Sequence, residues 1–456
     1  MRAFHAAAGV SEQAYEWLSW STAHIGHRLT GSPQGRRAEE VADSLFRLGG
    51  LDTVYAHAFE ANAWSRGTVA LTIGDGSGFR HLSCTALANT PLNASVEAPL
   101  VDAGNGLQAD FDSLGDAIKG ASVLVDLGLV AGQKGAKNLH RSEKAALALR
   151  AGAVSIVFVN QVEGGVLLTG TASVDGGLIT APAVCIAMED GKLLRERLAA
   201  GASLSARVQM SNQSQLVRAR NIIAELRGTV RPEEVILVGG HLDSWDLATG
   251  ATDNGLGSFS ILDMARVLAS MPFRPERTIR FVLFMGEEQG LLGSRALVQH
   301  YASTGELGRV ACMINLDMSG NPKGFAVGGP PDWEGLIKSQ CASIKGLDST
   351  VFEGASSNDV WLHSDHQPFL LKGVPVISPL SDLGKHVYGC YHSSCDDIHL
   401  VKPEAMTNNV RSVGTLLLGL AATPVLPGHF TSEQLRLRLQ KADLEAPLRI
   451  SGDWPW

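Results

Sequence analysis

From residue 220 onward, short apolar runs alternate with helix-forming stretches, and the best-defined runs stop at acids or histidines. Val235-Ile236-Leu237-Val238 is apolar without a break, as expected for a strand buried on both faces. It leads into Gly239-Gly240-His241-Leu242-Asp243. Thr278–Met285 predicts a strand that ends at Gly286-Glu287-Glu288, and Ala311–Leu316 predicts one that ends at Asp317. Helices are predicted over 257–269, 291–301, 333–344 and 406–420, and a further strand over 374–378 after a short helix at 367–371. Alternating strands and helices imply an α/β fold: a mixed, mostly parallel sheet flanked by helices. In such sheets, sites form outside the carboxyl ends of the strands. Three strand ends in succession therefore bring carboxylate and imidazole groups to one edge.

The rest of the chain divides around this unit. Helices are predicted over 12–25 and 36–48, and extended chain from Val54 and over 69–73. Residues 93–211 show short extended runs at 123–125, 154–159 and 182–186, helices at 143–151 and 190–200, many turn glycines and few metal-ligand candidates. This block reads as an inserted, β-rich domain. The expected division is 1–92 as the N-terminal part of the main domain, 93–211 as the insert, 212–423 as the catalytic part and 424–456 as a tail with a short helix near 433–441. Gly74-Asp75-Gly76-Ser77-Gly78 lacks the lysine of a phosphate loop and reads as a turn.

Bulk properties remove several classes. The net charge of −8 argues against nucleic acid or an anionic membrane as partner. No run reaches the ~18 apolar residues of a membrane span. The opening residues Met1–His5, followed by Glu12 and Glu16, lack the apolar segment of a signal peptide. Localisation stays open: cytoplasmic, or secreted or periplasmic if a signal has been removed. Six cysteines without a C-x-x-C argue against a thiolate zinc site. Cys390 and Cys395 flank His392 and form either a local disulfide or two thiols.

His241, Asp253, Glu287, Glu288, Asp317 and His392 together suit two metal ions with one carboxylate to spare. Two cations a few ångströms apart repel, and a shared anion offsets that; Asp253, in Ala251-Thr252-Asp253-Asn254-Gly255, is the candidate bridge. Of the adjacent Glu287 and Glu288, one is expected to bind metal and the other to take a proton from the attacking water. Asp243, two residues beyond His241, is placed to accept the second ring N–H and fix the tautomer. The Tyr391 hydroxyl is a candidate oxyanion donor. Ser364-Asp365-His366-Gln367 reads as a helix N-cap, with His366 a weaker candidate for substrate contact. No G-x-S-x-G or H-E-x-x-H occurs, which counts against two other hydrolase classes.

With these strings the chain resembles the di-zinc exopeptidase family of aminopeptidases and carboxypeptidases, over roughly residues 12–420. Gly240-His241-Leu242-Asp243-Ser244-Trp245-Asp246 and Gly26-His27-Arg28-Leu29-Thr30-Gly31-Ser32 look most like its carboxypeptidase Q branch, and Ala145–Val159 looks like that branch's inserted protease-associated domain. The resemblance implies one zinc held by His241, Asp253 and Asp317 and a second by Asp253, Glu288 and His392. It implies Glu287 as general base, Asp243 as orienter of His241, Tyr391 as oxyanion donor and a homodimer. The activity expected is hydrolysis of dipeptides or short peptides. The alternatives are an aminopeptidase for longer peptides, a glutaminyl-cyclase-like acyl transferase with one zinc, and a receptor-like module that has lost the chemistry.

Overall fold

The computed structural model describes residues 1–129 and 136–456. Its strands are, in chain order, β1 (Thr53–Gly74), β2 (Phe79–Leu82), β3 (Cys84–Ala86), β4 (Asn93–Asp102), β5 (Ser122–Asp126), β6 (Ser155–Val159), β7 (Ala183–Ile186), β8 (Ser205–Leu226), β9 (Arg231–His241), β10 (Arg277–Phe284), β11 (Val310–Asn315), β12 (Gly324–Gly328), β13 (Ala355–Asn358) and β14 (Val376–Leu380). They run side by side as β13-β12-β14-β11-β9-β10-β8-β4-β5-β6-β7-β3, while β1 pairs with β2 and β8.

At the centre of the first half, β14, β11, β9 and β10 are parallel. Every residue of β10 is buried, and its second half, Phe281–Phe284, is apolar without alternation, as this position selects. Helices Leu256–Ala269 and Pro403–Ala422 cover one face, through Phe259, Leu262, Met406 and Leu416. Helix Leu292–Thr304 and the tail helices Ser432–Lys441 and Glu445–Ser451 cover the other, through Leu297, Leu435 and Leu448.

The insert continues the sheet. Strands β4, β5, β6 and β7 are parallel, and β3 closes the edge antiparallel to β7. Helices Arg141–Ala151 and Met188–Ala199 accompany these strands, so the block combines β-structure with helices. The two halves are joined by β1 and β8, each 22 residues long and paired with each other almost end to end. The glycine-rich stretch at 74–78 is the turn between β1 and β2, with the Asp75 carboxylate accepting the Ser77 N–H.

Candidate metal centre and active site

Strand order explains why the acids meet. β9 lies between β11 and β10, so the three loaded strand ends are neighbours. His241 is the last residue of β9. Gly240 precedes it because a Cβ there would lie 2.2 Å from the Leu316 carbonyl oxygen, closing the approach of the two chains. Glu287 and Glu288 leave β10 through Gly286, whose φ of +80° suits glycine. Asp317 follows β11.

The other two groups come from loops. Asp253 lies in the Ala251–Gly255 turn that opens helix Leu256–Ala269. Asp396 fixes that turn: its carboxylate accepts the N–H of Thr252 at 2.8 Å and of Asp253 at 3.1 Å. His392 sits in a loop closed by a Cys390–Cys395 disulfide, which settles the open pairing. The Thr169 N–H of the insert donates to the His392 carbonyl at 2.9 Å.

These side chains converge. Asp253 Oδ1 lies 3.2 Å from His241 Nε2, and Asp253 Oδ2 lies 3.0 Å from His392 Nε2. His241 Nε2 is also 3.5 Å from Asp317, and His392 Nε2 is 3.0 Å from Glu288. Ligand atoms of His241, Asp253 and Glu288 all lie within 4.8 Å of one another. Among the described residues no lysine or arginine pairs with Asp253, Glu288 or Asp317, and Glu288 Oε1 is buried without a hydrogen-bond partner. Burial pushes Glu288 up to about 7, and Asp253 adds to the rise. Glu287 is raised well above the usual carboxylate range by burial and by Glu288, Asp317 and Asp365. Burial alone would lower His241, yet Glu287 and Asp317 hold it well above its ordinary value. Crowded acids and imidazoles of this kind are stabilised by divalent cations, and the nitrogen and oxygen donors suit zinc.

Supporting contacts fix the set. His241 Nδ1 donates to the Asp243 carbonyl at 3.1 Å, whereas the Asp243 carboxylate is 3.7 Å away. That carboxylate instead accepts from the Glu287 N–H at 3.3 Å and the Thr30 hydroxyl at 3.0 Å. The Ser364 hydroxyl donates to Asp317 at 2.6 Å. Ser364 was expected as part of a helix N-cap; this is corrected, since its hydroxyl serves Asp317 and the helix His366–Leu370 starts without a side-chain cap. His366 is buried and donates to the Trp361 carbonyl at 3.0 Å, inside the fold. The Tyr391 ring stacks on His392 with centroids 3.8 Å apart.

A cavity of about 340 Å³ opens above this cluster. The insert contributes His140, Arg141, Glu143 and Thr171 to its wall, the loop before helix His366–Leu370 adds Trp361 and His363, and the tail adds Ser451 and Asp453. Asp453 is held by Arg295 at 2.6 Å and by Gln367 at 3.0 Å. None of these wall residues was singled out in the sequence as lining a site, because no local pattern marks a residue that reaches the site from another domain.

Comparison with known proteins agrees with the geometry. Residues 221–417 match Peptidase family M28, and residues 96–194 match the PA domain. Aminopeptidase YwaD of Bacillus subtilis (strain 168) is 29% identical over 411 residues, covering 87% of this chain and 82% of the relative. Carboxypeptidase Q of Mus musculus is 25% identical over 407 residues, covering 86% and 82%. Among solved structures, a peptidase M28 precursor from Shewanella amazonensis SB2B superposes with a TM-score of 0.80 at 24% identity, covering 94% of this chain and 98% of that one. A zinc aminopeptidase from Bacillus subtilis gives a TM-score of 0.65 at 26% identity, covering 89% and 93%. Fold and strand-end site define a metallo-exopeptidase. Residues 221–417 form a peptidase family M28 domain, into whose chain a PA domain is inserted at residues 96–194.

Proposed function

We propose that this protein is a two-zinc exopeptidase that hydrolyses dipeptides or very short peptides. The observation that carries the reading is Asp253, whose two carboxylate oxygens face opposite histidines at 3.2 and 3.0 Å. His241 and Asp317 would hold one ion on the first side, and His392 and Glu288 the other on the second. When bound, the ions polarise the scissile carbonyl and acidify the attacking water. Glu287, the carboxylate left over, takes the proton from that water and passes it to the leaving amine. The Asp243 carbonyl keeps the proton of His241 on Nδ1, so that Nε2 offers its lone pair to the site. The Asp243 carboxylate ties the main chain of the base to the same strand end. Tyr391 offers its hydroxyl to the developing oxyanion.

A short substrate follows from the cavity, which sits near the lower end of the ~300–1,000 Å³ range for small-molecule clefts and is walled by insert and tail. On this reading 1–92 and 212–423 form the peptidase unit, 93–211 the insert and 424–456 a clasp. The family resemblance adds a homodimer, which sedimentation tests. A second reading, an aminopeptidase for longer peptides, draws on the aminopeptidases among the relatives. Rates on a dipeptide, its N-blocked form and a longer peptide separate the two. Glu287→Gln should lower kcat on a cleaved dipeptide about 10²- to 10⁴-fold with zinc content unchanged. Near-wild-type hydrolysis by that variant would sink the mechanism.

A further inference from the structure

The segment Gly26–Ser32 carries no metal ligand, yet it runs beneath the whole centre. It connects helix Gln13–His24 to helix Pro33–Leu48. Arg28 within it is fully buried. Its Nε donates to the Leu242 carbonyl at 2.6 Å, Nη1 to Thr249 at 2.8 Å and Nη2 to Gly250 at 2.8 Å. Its main-chain N–H donates to the Ser244 hydroxyl at 2.9 Å. These acceptors lie at the two ends of the loop that separates His241 from Asp253. A planar guanidinium with five donors can span both ends and set their separation, which a single ammonium cannot reproduce. Burial pulls the Arg28 guanidinium down to about 10, while Asp396, Asp243, Asp253 and Glu288 act to keep it charged.

Thr30 reaches the other half of the centre. Its hydroxyl donates to Asp243 Oδ2 at 3.0 Å, and Oδ1 of the same carboxylate accepts the Glu287 N–H at 3.3 Å. The Gln289 side chain, next to Glu288, donates to the Thr30 carbonyl at 3.3 Å. One three-residue stretch therefore holds the His241–Asp253 loop and the Glu287–Glu288 turn together.

We infer that Arg28 and Thr30 are positioning residues, a strap that keeps the two halves of the metal centre in register and thereby sets metal affinity. The inference rests on the two-zinc reading. It is tested on the full chain as wild type, Thr30→Val and Arg28→Lys. Each zinc-loaded protein is titrated with a competing chelator, and zinc per chain is measured by elemental analysis. The visible absorption of the cobalt-substituted protein reports ligand geometry directly. Circular dichroism and thermal unfolding of the metal-free forms control for the fold. Thr30→Val should fold as wild type, bind zinc about 10-fold more weakly, shift the cobalt spectrum and lower kcat with KM held within about two-fold. Arg28→Lys should weaken zinc binding by about 10- to 100-fold despite keeping the charge. If Arg28→Lys does not fold, Thr30→Val decides alone. Folded variants with wild-type affinity and an unchanged cobalt spectrum would overturn the strap while leaving the two-zinc reading intact. A wild-type protein that takes up no zinc overturns that reading as well, and no variant is needed to see it.

Discussion

The peptidase half and the insert are built alike where it matters for strand ends. Each has parallel strands buried within the sheet, and each ends strands at acids. In the insert, β4 ends at Asp102 and β5 at Asp126, and both acids meet Arg195, at 3.1 and 2.8 Å. In the peptidase half, Asp253, Glu288 and Asp317 meet two histidines, with no lysine or arginine paired to them among the described residues. An acid at a strand end is thus ordinary; what distinguishes the site is that, among the described residues, no lysine or arginine forms an ion pair with its acids. The insert closes its acids internally, and the peptidase half leaves its acids to be closed by metal.

That contrast can be broken most forcefully at Asp253. Asp253→Asn removes the proposed shared anion, and zinc affinity measured by chelator competition should fall by more than about 100-fold, with hydrolysis falling to background. If the variant keeps two zincs per chain, Asp253 is not the bridge. The matching change in the insert is Arg195→Met, which strands Asp126, 7% exposed, without its partner. A buried pair broken on one side costs ~3–5 kcal/mol; Arg195 is partly exposed, so about 1–3 kcal/mol is expected in urea unfolding, with zinc affinity unchanged. Altered zinc binding in that variant would mean the halves are coupled.

Glu143 gives the smallest and subtlest case, an acid of the insert that faces the peptidase cavity. Its neighbours are the His140 N–H on its own helix, His363 at 3.5 Å from the facing loop, and the charges of Lys137 and Lys144. Burial pushes it from 4.5 up to about 7. The folded state therefore holds this proton more tightly than the unfolded chain. Its contribution to stability is complete below pH 4.5 and is lost as pH rises toward 7. Glu143→Gln should flatten the fall over that window by about 1–2 kcal/mol, read from unfolding curves at several pH values. Parallel pH profiles for variant and wild type would show that Glu143 is adequately neutralised.

The parts of this arrangement that were legible in the sequence are those carried by local pattern. Val235–Val238 names its strand, and His241 follows it directly; Glu287-Glu288 and Asp317 follow theirs in the same way. Parallel strand order then follows from the alternation with helices. What local pattern does not contain is reach across the chain. Nothing around Asp396 names its partner, Thr252, which lies 144 positions away. Thr30 meets Asp243 across 213 positions. Arg141, His363 and Asp453 look like ordinary surface charges until insert, loop and tail are brought to one cavity. The disulfide was open for a related reason: spacing permits a Cys390–Cys395 bond, and the fold of the loop decides it.

The tail docking has a consequence in time. Lys137 donates to the carbonyls of Ala442 and Asp443 at 2.7 and 3.0 Å, Arg150 donates to the Ile450 carbonyl at 2.9 Å, and Asp453 is gripped by Arg295. A ribosome making this chain has delivered every proposed metal ligand once His392 is out, but the cavity still lacks the wall that Ser451 and Asp453 provide. The order of synthesis thus delivers the proposed ligands before the tail residues that complete the wall of the cavity.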